Sequence, residues 1–381
     1  MSFCFKKSRT AWLVFILLAG CAQEVGTAPE YSNVDIRLPA GFTIEVLADI
    51  PNARSLQLGE DGMLYVSSQR IGKVFAIRNA FSAAPEVLVV AEGLKYPNGL
   101  AYKDGDLYVV EPERVLRYRD IESNLAQIVE PEVVTDKLLA GKQHAWKYAS
   151  FGPDGKLYVA IGSPCNVCDE PDYGIIQRMD VSDTEGGSVN VEVVARGIRN
   201  SVGFDWHPVT RELWFTDNNR DMLGDDGPPG ELNRVSNMGE HFGFPFCHGA
   251  DIVEPDESLA SLGSCFEITS PMQLLGPHVA PLGMAFYTGE QFPDYYRNQV
   301  FIAEHGSWNR SEKIGYRVTL ITLENGKALD YQPFAEGWLK DDQVSGRPVD
   351  VIVAPDGSLL VSDDLAGKVY RIRYVSDVAT Q

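Results

Sequence analysis

GEDGMLYVSSQRIGKVFAIR, residues 59–78, is one copy of a unit that recurs along the chain. It sets an Asp-Gly turn before alternating apolar residues, then a short polar segment, then a second apolar run. Asp-Gly flanked by alternating hydrophobics is a strong short-range signal for a β-hairpin. The unit returns as YKDGDLYVVEPERVLRYR (102–119), GPDGKLYVAIGSP (152–164), HPVTRELWFTDNNR (207–220), YRNQVFIAEHGSWNR (296–310) and APDGSLLVSDDLAGKVYRIR (354–373). Repeats roughly 40 to 50 residues apart, each with several short strands, read as propeller blades. The expectation is an all-β, six-bladed β-propeller over residues 35–376; the alternative is an irregular array of β-sandwiches. No long amphipathic helix pattern is present. The wider gap between the fourth and fifth copies predicts an insertion at about 237–280.

In a propeller, the polar residues after each repeated strand gather on one face around the axis. Here they are Ser68–Arg70, Glu111–Arg114, Gly162–Asn166, Asp217–Arg220, Glu304–Arg310 and Asp363–Asp364. Arginines, a histidine and carboxylates in one ring suit a polyanionic ligand beside a metal ion. Arg199 and Arg347 stand between blades and are expected to point inward. The richest stretch is Ala195–Pro245, where Arg199 and Asn200 lead through a strand into Asp217, Asn218, Asn219, Asp221, Asp225, Asp226 and Glu231. So many carboxylates are too costly to bury unpaired. A solvated turn is the bland reading. Carbonyls freed by Gly224, Gly227, Pro228 and Pro229 would add to an oxygen set that suits Ca²⁺. The order is not that of an EF-hand, which needs glycine at its sixth position and glutamate at its twelfth.

The formal charge of the 381-residue chain is -20. That argues against nucleic acid or an anionic membrane surface as partner. Lys6, Lys7 and Arg9 precede a short apolar run, Ala11–Leu18, and then Leu18-Ala19-Gly20-Cys21, which resembles a bacterial lipobox. The expectation is a signal peptide over 1–20, a lipid on Cys21, a tether over 21–34 and a lipid-anchored periplasmic protein; an ordinary signal peptide is the alternative. Beyond Cys4 and Cys21 lie Cys165, Cys168, Cys247 and Cys265. An export compartment is oxidising, so pairing is expected. Of the three possible connectivities, Cys165–Cys168 with Cys247–Cys265 is the simplest. A redox-active C-x-x-C and half a zinc site are the alternatives.

His144, His207, His241, His248, His278 and His305 are the histidines. His207 sits in a turn. His144 leads directly into the third repeat and is the candidate general base. There is no Gly-x-Ser-x-Gly elbow, no H-E-x-x-H and no dinucleotide glycine fingerprint.

Several segments resemble the glucose/sorbosone dehydrogenase family of soluble quinoproteins: GIRN (197–200), WFTDNNRDMLGDDGPPGELNRV (214–235), HFGFPFCHG (241–249), HAWKYASFGPDGKLYVAIGSPCNVCDE (144–170), APLGMAFYTG (280–289), FIAEHGSWNRSEKIGYRV (301–318) and GRPVDVIVAPDGSLLVSDDLAGKVYRI (346–372). The likeness covers about 36–374 and is nearest the sorbosone-dehydrogenase-like branch. It implies a six-bladed propeller holding pyrroloquinoline quinone (PQQ) and Ca²⁺. It implies oxidation of an aldose or L-sorbosone-like substrate, with electrons leaving to an external cytochrome or quinone. His144 matches the base that removes a hydroxyl proton as hydride passes to the quinone. Arg199, its catalytic companion, and Asn200 match the pair at the quinone carbonyls. Carbonyls at Asn219–Arg220 match a calcium-binding turn, with Asp217 and Asp226 beside it. Arg347 matches a cofactor-carboxylate ligand; Arg310, Arg70 and His305 are further cofactor contacts, His305 being the alternative base. Val202 and Val349 depart from the glucose-oxidising branch, which carries a glutamine and an arginine there. The turn itself reads Asn-Arg where that branch has Gly-Pro.

The chemistry is consistent. PQQ carries three carboxylates, and arginine forks bind carboxylates bidentately. A calcium-dependent lactonase and a non-enzymatic carbohydrate-binding propeller are the competing readings. The arginine set favours the dehydrogenase, because hydrolysis needs no tricarboxylate cage.

Overall fold

The computed structural model describes residues 35–125, 127–182 and 189–375. The signal peptide, Cys21 and the tether lie outside these residues. Six antiparallel sheets follow one another along the chain as the blades of a β-propeller. Their first strands are Ala53–Leu58, Gly99–Lys103, Ala149–Phe151, Phe204–Trp206, Pro281–Phe286 and Pro348–Val353. First strands of neighbouring blades pack side by side around a common axis. The Asp-Gly signal holds at Asp104–Gly105, whose φ values of 52° and 86° turn Gly99–Lys103 directly back into Asp106–Val110. Positive φ at both loop residues is what such a two-residue hairpin requires.

The alternating pattern explains why the sheets stack as a ring. In the second strand of the first blade, Leu64 and Val66 face the sixth blade while Tyr65 faces the second. Leu107 and Val109 likewise face the first blade, and Tyr108 and Val110 the third. The period of two along a strand therefore supplies both interfaces of every blade. The result is not one core but an apolar layer between each adjacent pair of sheets.

Two elements depart from the repeat. The sixth blade takes its outer strand from the other end of the chain, as Phe42–Asp49 pairs antiparallel with Lys368–Tyr374. Phe42 anchors this closure edge-to-face against Phe292, Tyr296, Phe334 and Tyr374. The predicted insertion is shorter than expected, because Gln273–Pro277 is the outer strand of the fourth blade. The excursion before it adds Glu240–His241 to the third blade, carries the hairpin Cys247–His248/Ile252–Val253, and is clasped by Cys247–Cys265. Cys165–Cys168 forms the second disulfide, so the simplest pairing is the one present.

Candidate functional site

Strand register sets the floor of the site. In each blade one first-strand residue opposes the first residue of the second strand, or in the second blade its second residue: Leu58, Tyr102, Phe151, Trp206, Phe286 and Val353. Four residues earlier stand Arg54, Asn98, Lys147, Val202, Leu282 and Val349, a ring around the axis. The ring is split. Blades one to three give a polar half, in which Arg54 Nε donates to Asn98 Oδ1 (3.1 Å) and Asn98 Nδ2 to the Lys147 carbonyl (2.9 Å). Blades four to six give an apolar half, in which Val202, Leu282 and Val349 pack together. Val202 and Val349, two of the three departures named above, thus fall in one apolar patch. Lys147 is buried with no hydrogen-bond partner for Nζ among the described residues, and burial pushes its ammonium down to about 8.

A pocket of about 300 Å³ opens above this floor. The structure brings Arg70, His144, Arg199, Asn200, Asn219, His305 and Arg347 together in its wall. It adds Arg54, Gln69, Trp146, Asp221, Trp308, Asn309 and Asp364. Four arginines against two aspartates give the wall a formal charge of +2 on a chain of -20. Arg347 feels Arg54 and Arg70 as like charges, and burial is the larger influence pushing its guanidinium down. The Arg70 side chain makes no hydrogen bond or ion pair among the described residues. A larger hollow of about 480 Å³ lies at the other end of the first strands. Its one carboxylate, Asp205, already accepts the N–H groups of Trp206 (2.7 Å) and Phe286 (2.9 Å).

His144 is fixed by its Nδ1, 2.8 Å from the Ser163 carbonyl. A carbonyl only accepts, so Nδ1 carries the proton and Nε2 keeps its lone pair. Burial, helped by Arg199, pushes this imidazole down to about 4, so at neutral pH it is neutral with its Nε2 lone pair unprotonated. His305 is tied differently, its Nε2 lying 2.9 Å from Asp364 Oδ1 while Arg54 Nη1 lies 3.0 Å from Oδ2. Burial pushes His305 down to about 4 and pushes Asp364 up. For Asp364 the attraction of His305, Arg54 and Arg347 outweighs burial, and the carboxyl stays well below its usual range. His144 Nε2 is therefore free to take a proton, whereas His305 is held through Nε2 on Asp364, which Arg54 also holds.

Four predicted residues lie outside the pocket wall. Asp217 is buried behind it, its oxygens accepting the N–H groups of Arg199 (3.0 Å) and Asn200 (2.7 Å). Arg220 turns away to Glu254 at 2.9 Å, inside the excursion, where Glu254 also meets His248. Asp226 is solvent-exposed and pairs with Arg310 at 3.3 Å. Arg310 also donates to the Asp225 carbonyl (3.0 Å), so it clamps the acidic loop to the Trp308–Asn309 loop. Among the described residues no cluster of three or more His, Cys, Asp or Glu could hold a metal. The carboxylates of the wall, Asp221 and Asp364, are already engaged, and among the described residues Asn200 Oδ1 and Asn309 Oδ1 are neutral oxygens buried without a hydrogen-bond partner. Arg54 and Trp146 escaped the sequence reading. Aligning the six first strands on their hairpin turns would have marked Arg54, since it shares the ring with Val202 and Val349.

A propeller whose axial pocket concentrates positive charge around a neutral imidazole is the frame of a binder or transformer of small anionic groups. The chain belongs to the TrAA12-like family, whose model matches residues 36–375. An uncharacterized Borreliella burgdorferi protein is 32% identical over 382 residues, covering 92% of this chain and 94% of its own. A pyrroloquinoline quinone-dependent pyranose dehydrogenase of Coprinopsis cinerea is 31% identical over 131 residues, 29% of this chain and 17% of that protein. The holo form of the PQQ domain of Coprinopsis cinerea pyranose dehydrogenase superposes with a TM-score of 0.74 at 17% identity, covering 89% of this chain and 97% of that one. A calcium structure of the Trichoderma reesei family AA12 enzyme gives a TM-score of 0.74 at 18% identity, covering 90% and 98%. These structures share the six-bladed fold.

Proposed function

We propose that the protein is a PQQ- and Ca²⁺-dependent dehydrogenase that oxidises a sugar or a sugar-derived aldehyde or alcohol. The observation that carries it is the +2 wall of arginines around a neutral His144 on a chain of charge -20. The named pyranose dehydrogenase relative and the family match support the same reading.

The residues fit the cofactor on their own terms. Among the described residues the Arg70 side chain has no partner, Arg347 uses Nε and Nη2 on the carbonyls of His305 (3.1 Å) and Gly306 (3.3 Å) with Nη1 left over, and Gln69 Nε2 is buried without an acceptor. These groups would hold carboxylates. Asn200 Oδ1 and Asn309 Oδ1, with carbonyls of the Asn219–Arg220 turn, are the hard oxygens offered to Ca²⁺ in place of Asp217 and Asp226. When bound, PQQ supplies the two-electron acceptor and Ca²⁺ polarises it. His144 Nε2 takes the hydroxyl proton of the substrate, and its Nδ1–H on Ser163 holds the ring to that tautomer. Arg199 faces the reacting end with the N–H its protein partners leave over. Trp146 and Trp308 stand exposed at the rim and offer flat faces for a sugar ring. The apolar half of the floor gives no polar contact to the substrate, which favours a sorbosone-like aldehyde over glucose.

We place the chain outside the cytoplasm, held by a lipid on Cys21 and passing electrons to an external cytochrome or quinone. The test is reconstitution of purified protein with PQQ and Ca²⁺, following an artificial electron acceptor against aldoses and L-sorbosone. Acceptor reduction requiring both additions is expected. Calcium-dependent hydrolysis of lactones without PQQ would instead establish the lactonase reading.

A further inference from the structure

We propose that Asn166, enclosed by the Cys165–Cys168 disulfide, is a positioning residue that aims Arg199, and that the same loop aims His144. The inference rests on the reading of the pocket given above.

Arg199 is 3% exposed, and its guanidinium is almost fully engaged by protein. Nε donates to the Asn166 carbonyl (2.9 Å), and Nη2 to Asn166 Oδ1 (2.9 Å) and Asp221 Oδ2 (2.7 Å). Nη1 donates to the Asn218 carbonyl (3.1 Å), which leaves one N–H for the pocket. Asn166 thus grips the guanidinium from two sides with its backbone and side-chain oxygens. It also holds Asp221, accepting from the Asp221 N–H (2.9 Å) and donating to its carbonyl (3.2 Å). The other end of the loop reaches the base. Ser163 N–H donates to the Arg199 carbonyl (2.7 Å), and the Ser163 carbonyl accepts from His144 Nδ1–H (2.8 Å). Ser163 Oγ in turn donates to the Cys165 carbonyl (3.2 Å). Arg199, Ser163 and the disulfide loop therefore close a ring through hydrogen bonds and the Cys165–Asn166 peptide, and the base is tied to that ring at Ser163. A disulfide spanning three residues limits how the backbone of Asn166 can turn, so both of its oxygens stay on Arg199.

A side chain that only stabilised the fold would not separate turnover from binding. The full-length Asn166→Ala protein is expected to lose about 10- to 100-fold in kcat, the scale of a misplaced reacting group. Its substrate KM, and its PQQ affinity read from quenching of Trp146 and Trp308 fluorescence, should stay within about threefold of wild type. Asn166→Asp keeps the acceptor for Arg199 and should recover most of the lost turnover. The paired Cys165→Ser/Cys168→Ser protein should lose turnover in the same pattern. Unchanged kcat in Asn166→Ala, a loss confined to PQQ affinity, or no recovery in Asn166→Asp would overturn the proposal. A second readout is independent of the cofactor. In ¹⁵N-arginine-labelled protein the Arg199 Nε–H resonance should be slow to exchange and should lose that protection in Asn166→Ala. Retained protection overturns the proposal even if the protein never binds PQQ, whereas failure of wild type to bind PQQ overturns only the function proposed above.

Discussion

His144→Gln keeps a polar side chain of similar reach and removes both the base and its titration. The wild-type imidazole is held near 4 by burial and by Arg199, against an ordinary value near 6.5. A depressed folded-state value means that the unfolded chain binds the proton first. The stability cost is therefore absent above pH 6.5, grows as the pH falls, and is complete near pH 4. Between pH 7 and pH 5 the two values predict a loss of about 2 kcal/mol from this one group. Urea unfolding of wild type and His144→Gln at both pH values isolates it, since the variant should lose about 2 kcal/mol less on acidification. The catalytic side is read separately. The variant should lose about 10² to 10⁴ in kcat while still binding PQQ, the usual contribution of a general base. Equal acid destabilisation in the two proteins would refute the burial argument. Full turnover in His144→Gln would refute the base assignment.

Arg347→Ala should act in the opposite sense, weakening PQQ by about 1.5 to 3 kcal/mol in a fluorescence titration while turnover at saturating cofactor changes less. Replacing Cys247 and Cys265 by serine should lower stability by about 2 to 4 kcal/mol in denaturant melts and loosen the Arg220–Glu254 pair. Phe42→Ala removes four aromatic contacts at the ring closure and should lower stability by about 3 to 5 kcal/mol. Cys21→Ser should move the protein from the membrane fraction to the soluble periplasm without altering kcat; a variant that still sediments with membranes would show a different anchor.

The blades were legible because each carries an alternating strand whose two sides meet two neighbours, and four of the six copies set an Asp-Gly turn before it. The closing strand Phe42–Asp49 was not, because it has no such turn and its partner lies at the far end of the chain. Gln273–Pro277 hid for a similar reason, separated from its blade by the excursion. At the site, residue type located the pocket but not the direction of each side chain. Asp217 and Asp226 stand nine residues apart in one acidic loop, yet one is a buried strut for backbone N–H groups and the other an exposed partner of Arg310. Acidity alone does not distinguish these. Arg54 was invisible as a single arginine and becomes evident only once six strands are set in register.

The shared sixth blade makes the two ends of the folding unit interdependent. Until Lys368–Tyr374 has been synthesised, Phe42–Asp49 has no edge to join, and the aromatic pocket for Phe42 lacks Tyr374. No shorter chain can close the ring, and a pairing this remote in sequence is slow to form. A chain still on the ribosome therefore remains open until its last strand has emerged. A single cut in the last strand should release the first one, so proteolysis at either terminus should unlock the whole ring rather than trim one blade.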